Sequence, residues 1–127
     1  MELFVQPFIA GRKKSLSVGN SSVGAVEVND SSLPKLLESL NGTILIFLYM
    51  AHCPHCKKMM PYIDELPMKR PGLKVLKADV MRSPGLKDYF QVSQAPTIFI
   101  KKGPEYKDRI DGAIPIPDLD SRLGNLL

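Results

Sequence analysis

Residues 43–50, TILIFLYM, form an unbroken apolar run rich in β-branched and aromatic side chains. A strand with one face in water alternates polar and apolar residues. A run with no alternation fits a strand covered on both faces, as in the middle of a largely parallel sheet. This stretch therefore asks for helices above and below it.

The flanking sequence supplies them. GAVEV (24–28) reads as a short strand. Ser31 and Ser32 are good N-caps and Pro34 suits a first turn. Leu33, Leu36, Leu37 and Leu40 follow at helical spacing, and Asn41-Gly42 stops the helix. Beyond the apolar run, Cys56, Met59, Met60, Ile63 and Leu66 share one face of a second helix. LKVLKADV (73–80) reads as the next strand. Ser83-Pro84 opens a helix whose inner side is expected to be Leu86, Tyr89 and Phe90. Residues 96–112 read as two strands joined at Gly103-Pro104. Pro117 is expected to start a last helix, with Leu119, Leu123, Leu126 and Leu127 inward.

The order β-α-β-α-β-α-β-β-α defines an α/β domain. Its central mixed sheet carries helices on both faces, with right-handed parallel crossovers and a late antiparallel hairpin. Residues 1–22 end in a Ser/Gly-rich stretch and read as an N-terminal arm or linker, which leaves 23–127 as the domain.

The net charge of +4 comes from scattered lysines without a long basic run, so no nucleic-acid partner is expected. No apolar run reaches the roughly 18 residues of a membrane span, so no membrane partner is expected either. With Met1 as the start, the first residues lack the basic leader of a secretory signal, and a cytoplasmic, monomeric protein is expected.

Chemistry concentrates at one point. His52, Cys53, His55 and Cys56 hold every histidine and cysteine of the chain. Two cysteines cannot build the disulfide framework of a small secreted domain. Cys53 falls at a helix N-cap, where free N–H groups and the dipole favour a thiolate, and Pro54 suits the first helical position. Cys56 lies one turn deeper on the core-facing stripe. An exposed acidic thiol beside a sheltered one suits exchange, with Cys53 attacking a disulfide and Cys56 resolving the adduct. His55 is placed to stabilise the thiolate, and His52 either gates access or covers the strand end. Two rival readings of the cysteines are a metal site and a structural dithiol. Structural zinc usually takes four ligands in two separated pairs, and this chain has one pair. Copper(I) needs only two thiolates. No metal and no organic cofactor are expected.

From about Val23 onward the chain resembles the thioredoxin family. The resemblance rests on Cys53-Pro54-His55-Cys56-Lys57 after a buried strand, on Pro61 five residues after Cys56, and on Ala95-Pro96-Thr97 before the strand IFI. SPGLKDYFQV and Gly112 also match. The resemblance implies a thioredoxin-like fold in which Ala95-Pro96-Thr97 forms a cis-proline loop beside the dithiol. There Ala95, Pro96, Thr97 and His52 would contact an extended substrate segment, while Pro54 and His55 tune the thiol. It implies a protein thiol–disulfide oxidoreductase acting on disulfide-containing proteins. Electrons would come from a reductase-like partner or a small thiol. A net oxidant or isomerase, or a non-catalytic binding or soft-metal module of the same fold, are the alternatives. Some positions depart from the family pattern. Phe47 replaces a buried aspartate, so Lys77, in the place of the family's lysine, is left without that acid as partner; His52 replaces a tryptophan, and Pro54-His55 replaces the usual Gly-Pro.

Overall fold

The computed structural model describes residues 24–126. The proposed arm, residues 1–22, lies outside them, as does Leu127. Nine elements follow in order: β1 (Val26–Glu27), α1 (Ser32–Ser39), β2 (Thr43–Tyr49), α2 (Pro54–Lys69), β3 (Leu73–Asp79), α3 (Pro84–Tyr89), β4 (Thr97–Lys102), β5 (Glu105–Asp111) and α4 (Ile116–Leu126).

The strands form one sheet in the order β1-β3-β2-β4-β5. β1, β3 and β2 are parallel, whereas β4 runs antiparallel to β2 and β5 antiparallel to β4. The apolar run thus occupies the centre, and Ile44 through Leu48 are fully buried. Alternate residues of β2 face opposite layers. Leu45 and Phe47 join a cluster with Cys56, Met59, Ile63 and Leu66 of α2 and Leu119 and Leu123 of α4. Ile44, Ile46 and Leu48 join Leu33 of α1 and Leu86 and Phe90 beside α3. Each of these large apolar side chains is stabilising by about 1.5–3 kcal/mol through burial. The two-layer demand of the sequence is met by α2 and α4 on one face and α1 and α3 on the other.

Local departures have physical causes. β1 is only two residues long, and Gly24 precedes it at φ +96°, outside strand geometry. The cap of α1 is Asn29 rather than a serine side chain. Its Oδ1 accepts the N–H groups of Ser31 and Ser32, each at 2.9 Å, and Ser32 Oγ accepts the Asn29 N–H in return. Tyr89, expected inward, is 66% exposed. α3 has only six residues, and the core position one turn beyond Leu86 is filled by Phe90. Tyr89 instead lays its ring edge-on against Phe90, with centroids 4.8 Å apart. α2 continues through Pro67 to Lys69, so neither Pro61 nor Pro67 ends it. α4 begins one residue before Pro117, with Leu119 and Leu123 buried and Leu126 half-buried. Among the described residues no helix is long and apolar enough to cross a membrane.

Candidate active site

The parallel strands β1, β3 and β2 end at one edge of the sheet, the usual place for a site in an α/β layer. Beyond β2 the chain turns at Met50–His52 and enters α2, with the Cys53 N–H donated to Met50 O at 3.2 Å. Cys53 is the N-cap of α2 in extended conformation, and Pro54 opens the helix. Its sulfur accepts the Cys56 backbone N–H at 3.2 Å, so it satisfies one of the free donors at the helix end. The same thiol faces the Ala95 carbonyl oxygen at 3.5 Å.

That carbonyl belongs to the second loop of the site. The Ala95–Pro96 bond is cis. Pro96 is buried, and Thr97 is fully buried with its hydroxyl donating to Gln94 O at 2.7 Å. Thr97 therefore closes the loop from behind, while half-buried Ala95 faces the thiol. Gly112 locks the loop to the end of β5 by donating its N–H to Pro96 O at 2.8 Å. It sits at φ +93°, a backbone conformation that favours glycine, and a Cβ there would also press on the Gln94 side chain, with Oε1 at 3.1 Å. Cys53, Cys56, Ala95 and Pro96, far apart in sequence, are thus brought together. His52 and His55 stand exposed at the rim, and among the described residues no hydrogen bond links either imidazole to a thiol.

Cys56 has a different environment. It is 1% exposed and packs in the α2-side core with Phe47, Met59 and Ile63. Burial foremost, then the contact with Cys53, pushes its thiol up to about 12. The sign of the consequence follows. Between the free-thiol value of about 8.5 and about 12, the folded chain keeps a proton that the unfolded chain releases, so stability falls as pH rises. From pH 8 to about pH 10 the wild type is expected to lose about 1–2 kcal/mol more than Cys56→Ser. Urea unfolding at both pH values measures this; equal losses would remove the buried-thiol account.

With Phe47 in place of the buried aspartate of the family pattern, Lys77 takes a different partner. Its Nζ lies 2.8 Å from Asp64 Oδ1 and 3.8 Å from Met60 Sδ, both on α2, and the lysine side chain is only 17% exposed. Asp64 lies one turn after Met60 on the side of α2 that overhangs β3. The pairing crosses two elements and so leaves no local spacing signal. Sequence reasoning also missed the Tyr49–Glu27 contact, in which the phenol donates to the carboxylate at 2.9 Å. Burial raises the carboxylate's proton affinity. Tyr49 stacks on Phe47 with centroids 5.9 Å apart, and so continues the apolar wall behind Cys56. Among the described residues no three His, Cys, Asp or Glu side chains form a cluster suited to a metal ion.

A mixed sheet with this strand order, a Cys-x-x-Cys at the start of the helix after the central strand, and a cis-proline loop against the first thiol define the thioredoxin-like class. Comparison with known proteins places the chain more narrowly. The thioredoxin family model matches residues 24–124, and the chain belongs to that family. It is similar to chloroplastic thioredoxin M2 of Arabidopsis thaliana, 33% identical over 101 residues, or 79% of this chain and 54% of the relative. Thioredoxin of Listeria monocytogenes is 30% identical over 95 residues, covering 74% of this chain and 90% of the relative. The chain spans about half the length of the chloroplastic M-type relatives it matches, 54%, 56% and 50% for three of them. Among solved structures, oxidised mitochondrial thioredoxin 3 of Saccharomyces cerevisiae superposes with a TM-score of 0.70 at 25% identity, covering 80% of this chain and 94% of that one.

Proposed function

We propose that this protein is a thiol–disulfide oxidoreductase acting on protein disulfides through the Cys53/Cys56 couple. The observation that carries the reading is the asymmetry of the two thiols. Cys53 caps α2 and faces the cis-proline loop, whereas Cys56 is buried beneath it with its proton held.

The steps follow from that asymmetry. Cys53 thiolate attacks one sulfur of the substrate disulfide, and the other sulfur leaves as a thiolate that takes up a proton. Cys56 then attacks the Cys53 sulfur of the mixed disulfide. The second substrate thiolate leaves and accepts the Cys56 proton; the side chain packed beside Cys56 from β2 is Phe47, which offers no base. Two electrons pass from the pair to the substrate; one proton comes from Cys56, and the other from the solvent that took up the Cys53 proton when the thiolate formed. A small thiol or a reductase dithiol restores the pair by the reverse exchange. Backbone groups of the Ala95–Pro96 loop line the place of the substrate segment. Pro54 and His55 flank the thiol, and His52 covers the rim.

The test is trapping. With Cys56→Ser, the mixed disulfide between Cys53 and a disulfide substrate is expected to accumulate as a covalent adduct seen by intact mass and released by reductant. Failure of any Cys53-linked adduct to form, with the variant folded, would overturn the proposed function.

A further inference from the structure

The charges nearest the dithiol, on the turn before α2 and on the first ten residues of that helix, all have one sign. From Met50 to Ile63 the chain carries His52, His55, Lys57 and Lys58 and no acid. All four side chains are exposed. Lys57 follows Cys53 by four residues, one helical turn and about 6 Å along the axis, and its N–H is donated to Cys53 O at 3.1 Å. Lys58 stands in the same relation to Pro54. The positive end of the α2 dipole adds to the same field.

The other walls do not offset this. The facing loops, residues 93–96 and 112–117, are uncharged. Asp111 at the end of β5 is held by Arg109 at 3.0 Å, and Asp64 by Lys77 at 2.8 Å. On the β3 flank Glu27 accepts the Tyr49 hydroxyl, and Asp79 accepts the Met81 N–H. Those two acids line a recess together with Arg82. Among the described residues neither Lys57 nor Lys58 enters an ion pair.

We infer that the site selects disulfides flanked by acidic residues. An acidic substrate segment would lie across Cys53 between α2 and the Ala95–Pro96 loop, with its carboxylates toward Lys57 and Lys58. The inference rests on the redox reading above and names its substrate class. A single-sign rim raises the encounter rate with opposite charge by tenfold or more at low salt, and added salt screens the attraction, the Debye length falling to about 10 Å at 0.1 M.

The experiment uses the full reduced chain in single-turnover mixing. The substrates are two cystine peptides that differ only in having glutamates or lysines beside the disulfide. The glutamate peptide is expected to react about tenfold faster at about 20 mM ionic strength, with the ratio near one at about 500 mM. In Lys57→Glu/Lys58→Glu the order of the two peptides is expected to reverse. Equal rates at low salt, or a preference unchanged in the double variant, would overturn the inference. Dithiodipyridine, a neutral disulfide, separates this from failure of the redox reading. If the wild type does not reduce it, the redox reading falls; if it does and the peptides are not distinguished, only the selectivity falls.

Discussion

Cys53→Ser is expected to abolish disulfide turnover, lowering it by at least about a thousandfold, or about 4 kcal/mol of transition-state stabilisation. The loss follows from chemistry and place together. A serine hydroxyl at neutral pH supplies no useful concentration of anion, whereas a cysteine at a helix N-terminus is the residue suited to be a thiolate. The second cysteine cannot substitute. Cys56 is 1% exposed, and burial pushes its thiol up to about 12, so it meets neither the substrate nor the required ionisation state. Cys53→Ser is also expected to fold normally, because the hydroxyl can accept the same Cys56 N–H at the N-cap. Insulin reduction followed by turbidity, with circular dichroism to verify folding, measures both. A folded Cys53→Ser protein with wild-type turnover would end the assignment of Cys53 as nucleophile.

The same contrast explains what could be read from the chain and what could not. Central β2 was legible because five consecutive fully buried residues leave an unbroken apolar run, and the helices because their buried faces recur at 3.6-residue spacing. The dithiol was legible because both thiols and the cap proline lie within one helical turn. The Ala95–Pro96 loop is remote from the dithiol in sequence and was recognised only through family resemblance; its approach to Cys53 is a matter of tertiary structure. Asn29 was overlooked because either serine, by type, is as good a cap. Tyr89 was misplaced because helical periodicity does not say that a six-residue helix will spend its core position on Phe90. Lys77–Asp64 and Tyr49–Glu27 were invisible for one shared reason. Each joins side chains on different elements, and their distance is set by how α2 and β1 lie on the sheet rather than by spacing along the chain.

Phe47→Asp, which would restore an acid at this position, is expected to be strongly destabilising, by more than Phe47→Ala. Phe47 is fully buried in β2, and its loss to alanine alone should cost about 3–5 kcal/mol. An aspartate adds a carboxylate with no hydrogen-bond donor waiting for it. The cation beside it on β3 is Lys77, the register partner of Phe47, and Lys77 already gives its ammonium to Asp64. Taken against a typical total of 5–15 kcal/mol, the aspartate variant is expected to lie at the margin of folding. Asp64→Asn releases Lys77 and alone should cost only about 1 kcal/mol, since that carboxylate is 41% exposed. Combined with Phe47→Asp it gives the buried acid a partner. The double variant is therefore expected to be more stable than the sum of its parts by about 1–2 kcal/mol. Urea unfolding of Phe47→Ala, Phe47→Asp, Asp64→Asn and the double variant closes the cycle. Strict additivity would mean that Lys77 cannot turn from α2 to β2, and a Phe47→Asp protein as stable as Phe47→Ala would mean that it had been free to do so from the start.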